Sequence, residues 1–385
     1  MIQLELHKDM TDYPRPASHR LPFRVALASA LAVVALVVAL AGWKGRDREA
    51  AGRGTERVAA PPRPRPISAP DSSLLRLMAE RGDSLRRLRS LIVAWRGDVV
   101  LERYYNGATR TSPANIKSAS KTIVSALVGI AIARGELSGP TQRIDQVLGP
   151  ETQQLEEAKR SITLADLLTM RSGLESTSFE NYGEWVSSRN WVRDALRRPV
   201  VAEKGEGGPM IYSTGNSHLL SAIITRATRT STHTYADRHL FRPMGLRLRG
   251  WTTDPQGVYF GGNEMRLTPR EMLAFGELYR NKGQVRDADS VRQIIPQAWI
   301  DSSWVTRTRS GWSGNEYGYG WWMRDFRGYR AYFAWGYGGQ YIFVLPALDA
   351  TVVMTSDANV MSREEGHRAE LFRMIEENVV PALGG

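Results

Sequence analysis

Cysteine is absent from this 385-residue chain. Its absence excludes disulfides, thiol nucleophiles and thiolate metal sites, and suits an oxidising compartment. Histidine is scarce. The six present (His7, His19, His218, His233, His239 and His367) include no pair four residues apart. The helical metal-binding motif is therefore missing, and neither a metal nor a cofactor is expected. No Gly-x-Ser-x-Gly segment occurs, which removes the nucleophile elbow of the α/β hydrolases. There is no internal repeat.

Negative charge is also in short supply. Against 51 Lys and Arg stand 40 Asp and Glu, a net charge of +11. A nucleic-acid partner does not follow from this. Residues 1–66 alone hold eleven Lys/Arg and six Asp/Glu, so much of the excess is local. The rest is weakly basic, with no basic run interleaved with aromatics and no nucleic-acid module. Apolar residues at 42% and charged residues at 24% are those of a folded globular protein.

The N-terminal segments differ in kind. Residues 1–24 read as a basic leader. Val25 to Trp43 carries no charge over 19 residues, close to the ~20 that span hydrocarbon as a helix. It reads as an uncleaved anchor, or as a secretory signal cut near Ala39-Leu40-Ala41. The long leader and long apolar run favour the anchor. Residues 44–70 form a Pro/Arg-rich linker, stiffened by Pro61-Pro62-Arg63-Pro64-Arg65-Pro66. Four Lys/Arg precede the span within twenty residues and six follow it. Taken literally, the positive-inside rule leaves the main domain in the cytoplasm, but long domains translocate largely regardless of charge.

Residues 71–385 are expected to fold. Ser72 or Ser73 can cap an amphipathic helix through Leu88. Leu91–Trp95 and Val99–Tyr104 flank Arg96-Gly97-Asp98 as a hairpin. A helical middle, about 140–310, follows, with helices expected at 189–198, 216–228, 268–280 and 296–304. Tyr317–Met323, Tyr329–Trp335, Gln340–Leu345 and Thr351–Thr355 read as strands, and a last helix covers about 363–378. Strands at both ends with helices between them predict an α+β fold, one antiparallel sheet with an inserted helical subdomain.

Ser118 and Lys121 stand three apart at the mouth of an apolar helix that runs to Arg134-Gly135. That spacing places both side chains on one face. A lysine against an apolar core loses solvation and proton affinity, which makes it a base for the serine. Three further segments accompany the pair: Leu167-Leu168-Thr169-Met170-Arg171-Ser172-Gly173-Leu174, Tyr212-Ser213-Thr214-Gly215-Asn216 and Gly336-Tyr337-Gly338-Gly339-Gln340. Glycines in the last let backbone N–H groups approach a ligand. Trp321, Trp322, Tyr329, Tyr332 and Trp335 are expected to pack rather than to touch substrate.

The order SASK, LLTMRSGL, YSTGN, then a Gly-rich strand turn resembles the serine β-lactamase and penicillin-binding-protein superfamily over about residues 74–380. Within it the chain is similar to the class C-like hydrolases, a branch of esterases, D-peptidases and amide-dimer hydrolases. The resemblance implies a β-lactamase-like fold, with a five-stranded antiparallel sheet flanked by helices. It also implies roles: Ser118 as nucleophile, Lys121 as base, Tyr212 as proton shuttle, and the N–H groups of Ser118 and Tyr337 as the oxyanion hole. Asn216, Gly338 and Gly339 are possible substrate contacts. Two positions depart from the family pattern. Thr214 stands where Asn is usual, and Ala334-Trp335-Gly336 where Lys-Thr-Gly or His-Thr-Gly is usual.

These readings lead to a serine hydrolase that cleaves an ester or amide bond of a small molecule or peptide through an acyl-enzyme. A D-aminopeptidase or carboxypeptidase, a weak β-lactamase and a non-catalytic cell-wall or peptide binding module are the alternatives. The superfamily's commonest substrates lie outside the cytoplasm. The domain is therefore expected to be periplasmic, tethered to the membrane by its N-terminal helix, or secreted if that helix is cleaved.

Overall fold

The computed structural model describes residues 69–286, 290–359 and 366–384. The expected leader, the 25–43 span and nearly all of the linker lie outside the described residues. Among the described residues no helix is long and apolar enough to cross a membrane.

The chain enters on helix α1 (Ser72–Asp83). Asp71 caps it, rather than Ser72 or Ser73. Its carboxylate accepts from the Ser73 and Leu74 N–H groups at 2.8 and 3.3 Å. An ionised acceptor at the positive end of a helix is favoured over a hydroxyl. Strands β1 (Leu88–Trp95) and β2 (Asp98–Tyr104) form the expected hairpin. The other strands of the sheet come from the C-terminal part of the chain. They are β3 (Thr308–Arg309), β4 (Glu316–Tyr317), β5 (Trp322–Phe326), β6 (Tyr329–Gly336), β7 (Gln340–Leu345) and β8 (Ala350–Ser356). Their spatial order is β2-β1-β8-β7-β6-β5-β4-β3, and every neighbouring pair is antiparallel.

The sheet thus has eight strands, not five. β2 extends one edge and the short β3–β4 hairpin extends the other. The run expected as one strand, Tyr317–Met323, is split because Gly318-Tyr319-Gly320 turns the chain. Gly320 has φ +75°, and a Cβ there would lie 2.8 Å from the Cβ of Ser125.

Both faces of the sheet are covered, and strand alternation assigns each residue to one of two cores. Ile342 and Val344 of β7 join Ile92, Ala94 and Val353 on one face. Tyr341, Phe343 and Leu345 join Leu91, Val93 and Met354 on the other. A strand buried on both sides reads as an unbroken apolar run, which is why β7 has the bounds expected from sequence. The first core takes α2 (Ser120–Ala133), α3 (Thr214–Thr228) and α4 (Pro269–Arg280). The second takes α1 and α5 (His367–Met374). α5 starts later than expected and runs on through a wider turn, Ile375–Val379, to Val380–Gly384. Between β2 and β3 lie helices and a small three-stranded sheet of residues 114–115, 250–251 and 265–267.

Candidate active site

Residues 120–131 are all buried, so α2 is an apolar rod with its N-terminus held against the sheet. Ser118 does not lie on α2 itself. It occupies a tight 3-10 turn, Lys117–Ala119, that leads into the helix. The turn keeps the expected proximity, with Lys121 Nζ 3.1 Å from Ser118 Oγ. Lys117 opens the turn at φ +50°, a left-handed conformation uncommon outside glycine. Asn115 holds it there by accepting the Lys117 N–H at 3.0 Å. Glu264 pairs with Lys117 Nζ at 3.1 Å and accepts from Asn115 Nδ2 at 2.7 Å. Glu264 itself has φ +61°. Two non-glycine residues in left-handed conformations therefore flank the serine and lysine, a pattern common where a site is held in shape by its surroundings.

Lys121 is 3% exposed. Its Nζ donates to the carbonyl of Gly262 at 2.7 Å and to Thr214 Oγ1 at 3.3 Å, besides facing Ser118. No carboxylate pairs with it among the described residues. Burial pushes its ammonium down to about 7. The carbonyl of Gly262 can only accept, and the Thr214 and Ser118 hydroxyls lie within reach of the same nitrogen, which donates to Ser118 Oγ as well.

Sequence reasoning missed most of that cradle. Gly262 sits in a loop, Gly261-Gly262-Asn263, where a Cβ on Gly262 would lie 2.7 Å from Thr214 Cγ2 and 3.1 Å from Lys121 Nζ. The paired glycines were the only sign of it. Ser178 was missed as well. Its hydroxyl accepts the Thr214 N–H at 2.8 Å and lies 2.8 Å from Thr214 Oγ1. Thr214, at the position that departs from the family pattern, is in direct contact with Lys121. One turn further along α3, buried His218 bonds Asp254 at 3.0 Å, which ties α3 to the chain that leads into Gly262.

Tyr212 is half-buried, with its ring centroid 5.1 Å from Lys121 Nζ. The Leu167–Leu174 segment positions it. Met170, at φ +59°, accepts the Ile211 N–H on its carbonyl at 2.8 Å and the Ser213 N–H on its sulfur at 3.5 Å. Asn216 does not reach the pair. It is buried, accepts from Ser172 Oγ at 3.0 Å and donates to Met170 Sδ at 3.9 Å, so its amide anchors α3 to the same segment.

The turn after β6 comes to the serine by close backbone approach. A Cβ on Gly336 would fall 2.0 Å from the carbonyl oxygen of Ile116, so only glycine lets the strand end so near Ser118. Tyr337, next in the chain, is 58% exposed. Gly338 and Gly339 face protein. Cβ atoms there would lie 2.7 Å from Ala358 Cα and 2.8 Å from Ser356 Oγ. Among the described residues no cluster of three or more acidic or histidine side chains could hold a metal ion.

Solved structures share this architecture at low identity. A protein assigned as a 6-aminohexanoate-dimer hydrolase from Bacillus anthracis aligns with a TM-score of 0.66 at 18% identity, over 80% of this chain and 81% of its own. A penicillin-binding-protein homologue from Caulobacter crescentus aligns at 0.64 and 15%, over 83% and 99%. A D-stereospecific amidohydrolase from Streptomyces sp. aligns at 0.61 and 14%, over 80% and 98%. At these identities the likeness is one of fold. Among curated proteins none matches the chain. The family model for beta-lactamase matches residues 77–373, from α1 to the last turn of α5, and the chain belongs to that family.

Proposed function

We propose that the chain is a serine hydrolase that cleaves an ester or amide bond through a covalent acyl-enzyme. The observation that carries this reading is the surroundings of Lys121: buried, with no carboxylate paired to it among the described residues, and with its Nζ within reach of the Gly262 carbonyl, Thr214 Oγ1 and Ser118 Oγ. Ser118 Oγ attacks the carbonyl carbon as its proton passes to Lys121. The carbonyl oxygen becomes an oxyanion, bound by the N–H groups of Ser118 and Tyr337. The bond to the leaving group breaks, and that group takes the proton from Lys121 by way of Tyr212. Water then attacks the acyl-enzyme and gives up a proton by the same route. The carboxylic acid leaves and the Ser118 hydroxyl is restored.

The D-stereospecific amidohydrolase and the dimer hydrolase among the structural neighbours support small amides or peptides as substrates beside esters. Loss of the Lys/His-Thr-Gly side chains at Ala334-Trp335-Gly336 speaks against recognition of the β-lactam carboxylate. A binding module would have no use for Ser118, Lys121 and Tyr212 together.

Ser118→Ala should abolish both turnover of p-nitrophenyl esters and covalent labelling by a fluorophosphonate. Labelling of the variant at another serine would overturn the assignment. Residues 25–43 supply a membrane anchor in this reading, with the domain on the periplasmic side. Protease added to intact spheroplasts should then digest the domain. Cleavage only after lysis would place it in the cytoplasm.

A further inference from the structure

Resting on the acyl-enzyme reading, we propose that Ser178 is a positioning residue for proton transfer, holding Thr214 in the rotamer that presents Oγ1 to Lys121. Helix α3 starts without a cap of its own. Ser213 stands at the N-cap position, yet its hydroxyl makes no capping bond. The first N–H groups of a helix have no intrahelical acceptor, so acceptors must come from elsewhere. Here Ser176-Thr177-Ser178 supplies them. The Thr214 N–H donates to Ser178 Oγ at 2.8 Å, and the Gly215 N–H to Thr177 Oγ1 at 2.7 Å. Ser176 Oγ donates to the Tyr212 carbonyl at 2.7 Å, and the Thr177 N–H to Ser213 Oγ at 3.1 Å. Three hydroxyl residues thus clasp every residue from Tyr212 to Gly215. Thr177, Ser178, Ser213 and Thr214 are buried, so water competes little for these bonds.

Within the clasp, Ser178 reaches the chemistry. Its Oγ meets the backbone N–H of Thr214 and also, at 2.8 Å, Thr214 Oγ1. One oxygen in contact with both atoms fixes χ1 of Thr214, a side chain with few rotamers to choose from. In the rotamer so held, Oγ1 faces Lys121 Nζ at 3.3 Å. The methyl takes the room left by Gly262, where a Cβ would lie 2.7 Å from Thr214 Cγ2. Rotation about χ1 would carry Oγ1 away from Ser178 and Lys121 together. Ser178 is itself tied down. Its N–H donates to Ser176 Oγ at 2.9 Å, and Asn181 Nδ2 donates to the Ser176 carbonyl at 2.9 Å.

An acceptor beside an ammonium favours the charged form, and burial disfavours it. Burial is the cause of the lowered proton affinity of Lys121, with no charged side chain contributing among the described residues. Tyr212 is the titratable side chain beside it, its ring centroid 5.1 Å from Nζ. The Thr214 hydroxyl offsets part of the effect of burial, and Ser178 keeps that hydroxyl in place.

The test is a double-mutant cycle in the full chain, read on the acid limb of kcat/KM for p-nitrophenyl acetate, where the free amine of Lys121 appears. Thr214→Val removes the hydroxyl and should move the limb to lower pH by about 0.5–1, the size of one hydrogen bond. Ser178→Ala should move it the same way, and Ser178→Thr should leave it in place. Ser178→Ala added to Thr214→Val should move it no further. Melting temperature separates this role from capping alone. Ser178 accepts the backbone N–H of residue 214 in either background, so its loss should lower Tm equally in both. A limb at its wild-type position in Ser178→Ala, or displaced further in the double variant, would overturn the proposal and leave Ser178 as a helix cap only. If Ser178→Ala does not fold, Ser178→Cys, a weaker donor and acceptor, should show the same displacement in smaller measure. Fluorophosphonate labelling separates this from the mechanism. If labelling requires Ser118 while the limb ignores Ser178, the positioning role falls and the nucleophile stands. If labelling does not require Ser118, the acyl-enzyme reading falls first.

Discussion

Two lysines one helical turn apart meet opposite surroundings. Lys117 opens the 3-10 turn, keeps 20% of its side chain exposed and faces the Glu264 carboxylate at 3.1 Å. Lys121 points inward to a carbonyl and two hydroxyls, with burial alone acting on its proton affinity. A carboxylate neighbour stabilises an ammonium, whereas an apolar wall with neutral acceptors destabilises it. The two side chains are chemically the same. Burial lowers the proton affinity of the inner one to about 7, while the outer one, paired with Glu264, braces the turn that carries Ser118.

The contrast is broken most severely by removing the inner lysine. Lys121→Ala and Tyr212→Phe should each lower the acylation rate by on the order of 10²–10⁴, the worth of a positioned acid or base. Pre-steady-state bursts with a p-nitrophenyl ester measure it. A near-normal burst in Tyr212→Phe would leave Tyr212 as a wall of the pocket only. Stability should move the other way. The folded state holds Lys121 near 7 while the unfolded chain keeps it near 10.4. Between those values the unfolded chain binds more protons, so this group's contribution to stability rises with pH. Lys121→Met should therefore raise the melting temperature most at pH 6, and the gain should shrink toward pH 10.

A smaller change gives the inner lysine what the outer one has. Thr214→Asp places a carboxylate where Oγ1 now accepts from Lys121 at 3.3 Å. The ammonium is then favoured and its proton affinity rises. In the wild type, kcat/KM should increase with pH through an acid limb near 7, as the free amine appears. In Thr214→Asp that limb should move to higher pH, with activity recovered in alkaline buffer. A limb that stays near 7 in the variant would mean that another group sets the profile.

How far the sequence reveals these features depends on the range of the interactions. Short-range signals held. Both the Ser118/Lys121 spacing and the bounds of β7 follow from local periodicity and burial. Where one glycine pair or one acidic residue changes the outcome, local reading slipped. Asp71 took the cap from the serines, and Gly318-Tyr319-Gly320 cut one strand into two. What the sequence left dark is the cradle. Gly262 and Ser178 lie more than fifty residues from Lys121 along the chain and meet it, or its partner Thr214, only through the tertiary fold. A carbonyl acceptor carries no side-chain signature at all. Glu264 was invisible for the same reason.

The smallest effect tests the outer lysine. Lys117→Met deletes a partly exposed ion pair, an interaction worth roughly 0–1 kcal/mol. It does not touch the acceptors of Lys121. Glu264 keeps its bond from Asn115 Nδ2 at 2.7 Å, and the Asn115 acceptor still holds the backbone N–H of residue 117 at 3.0 Å. The left-handed conformation of the turn should therefore survive. Turnover should fall by less than about tenfold, on the scale set by that ion pair, and the acid limb should stay near 7. Steady-state rates from pH 5 to 9 provide the measurement. A loss as large as that of Lys121→Ala, or a displaced limb, would show that the two lysines share one proton network, and the division of labour between them would be wrong.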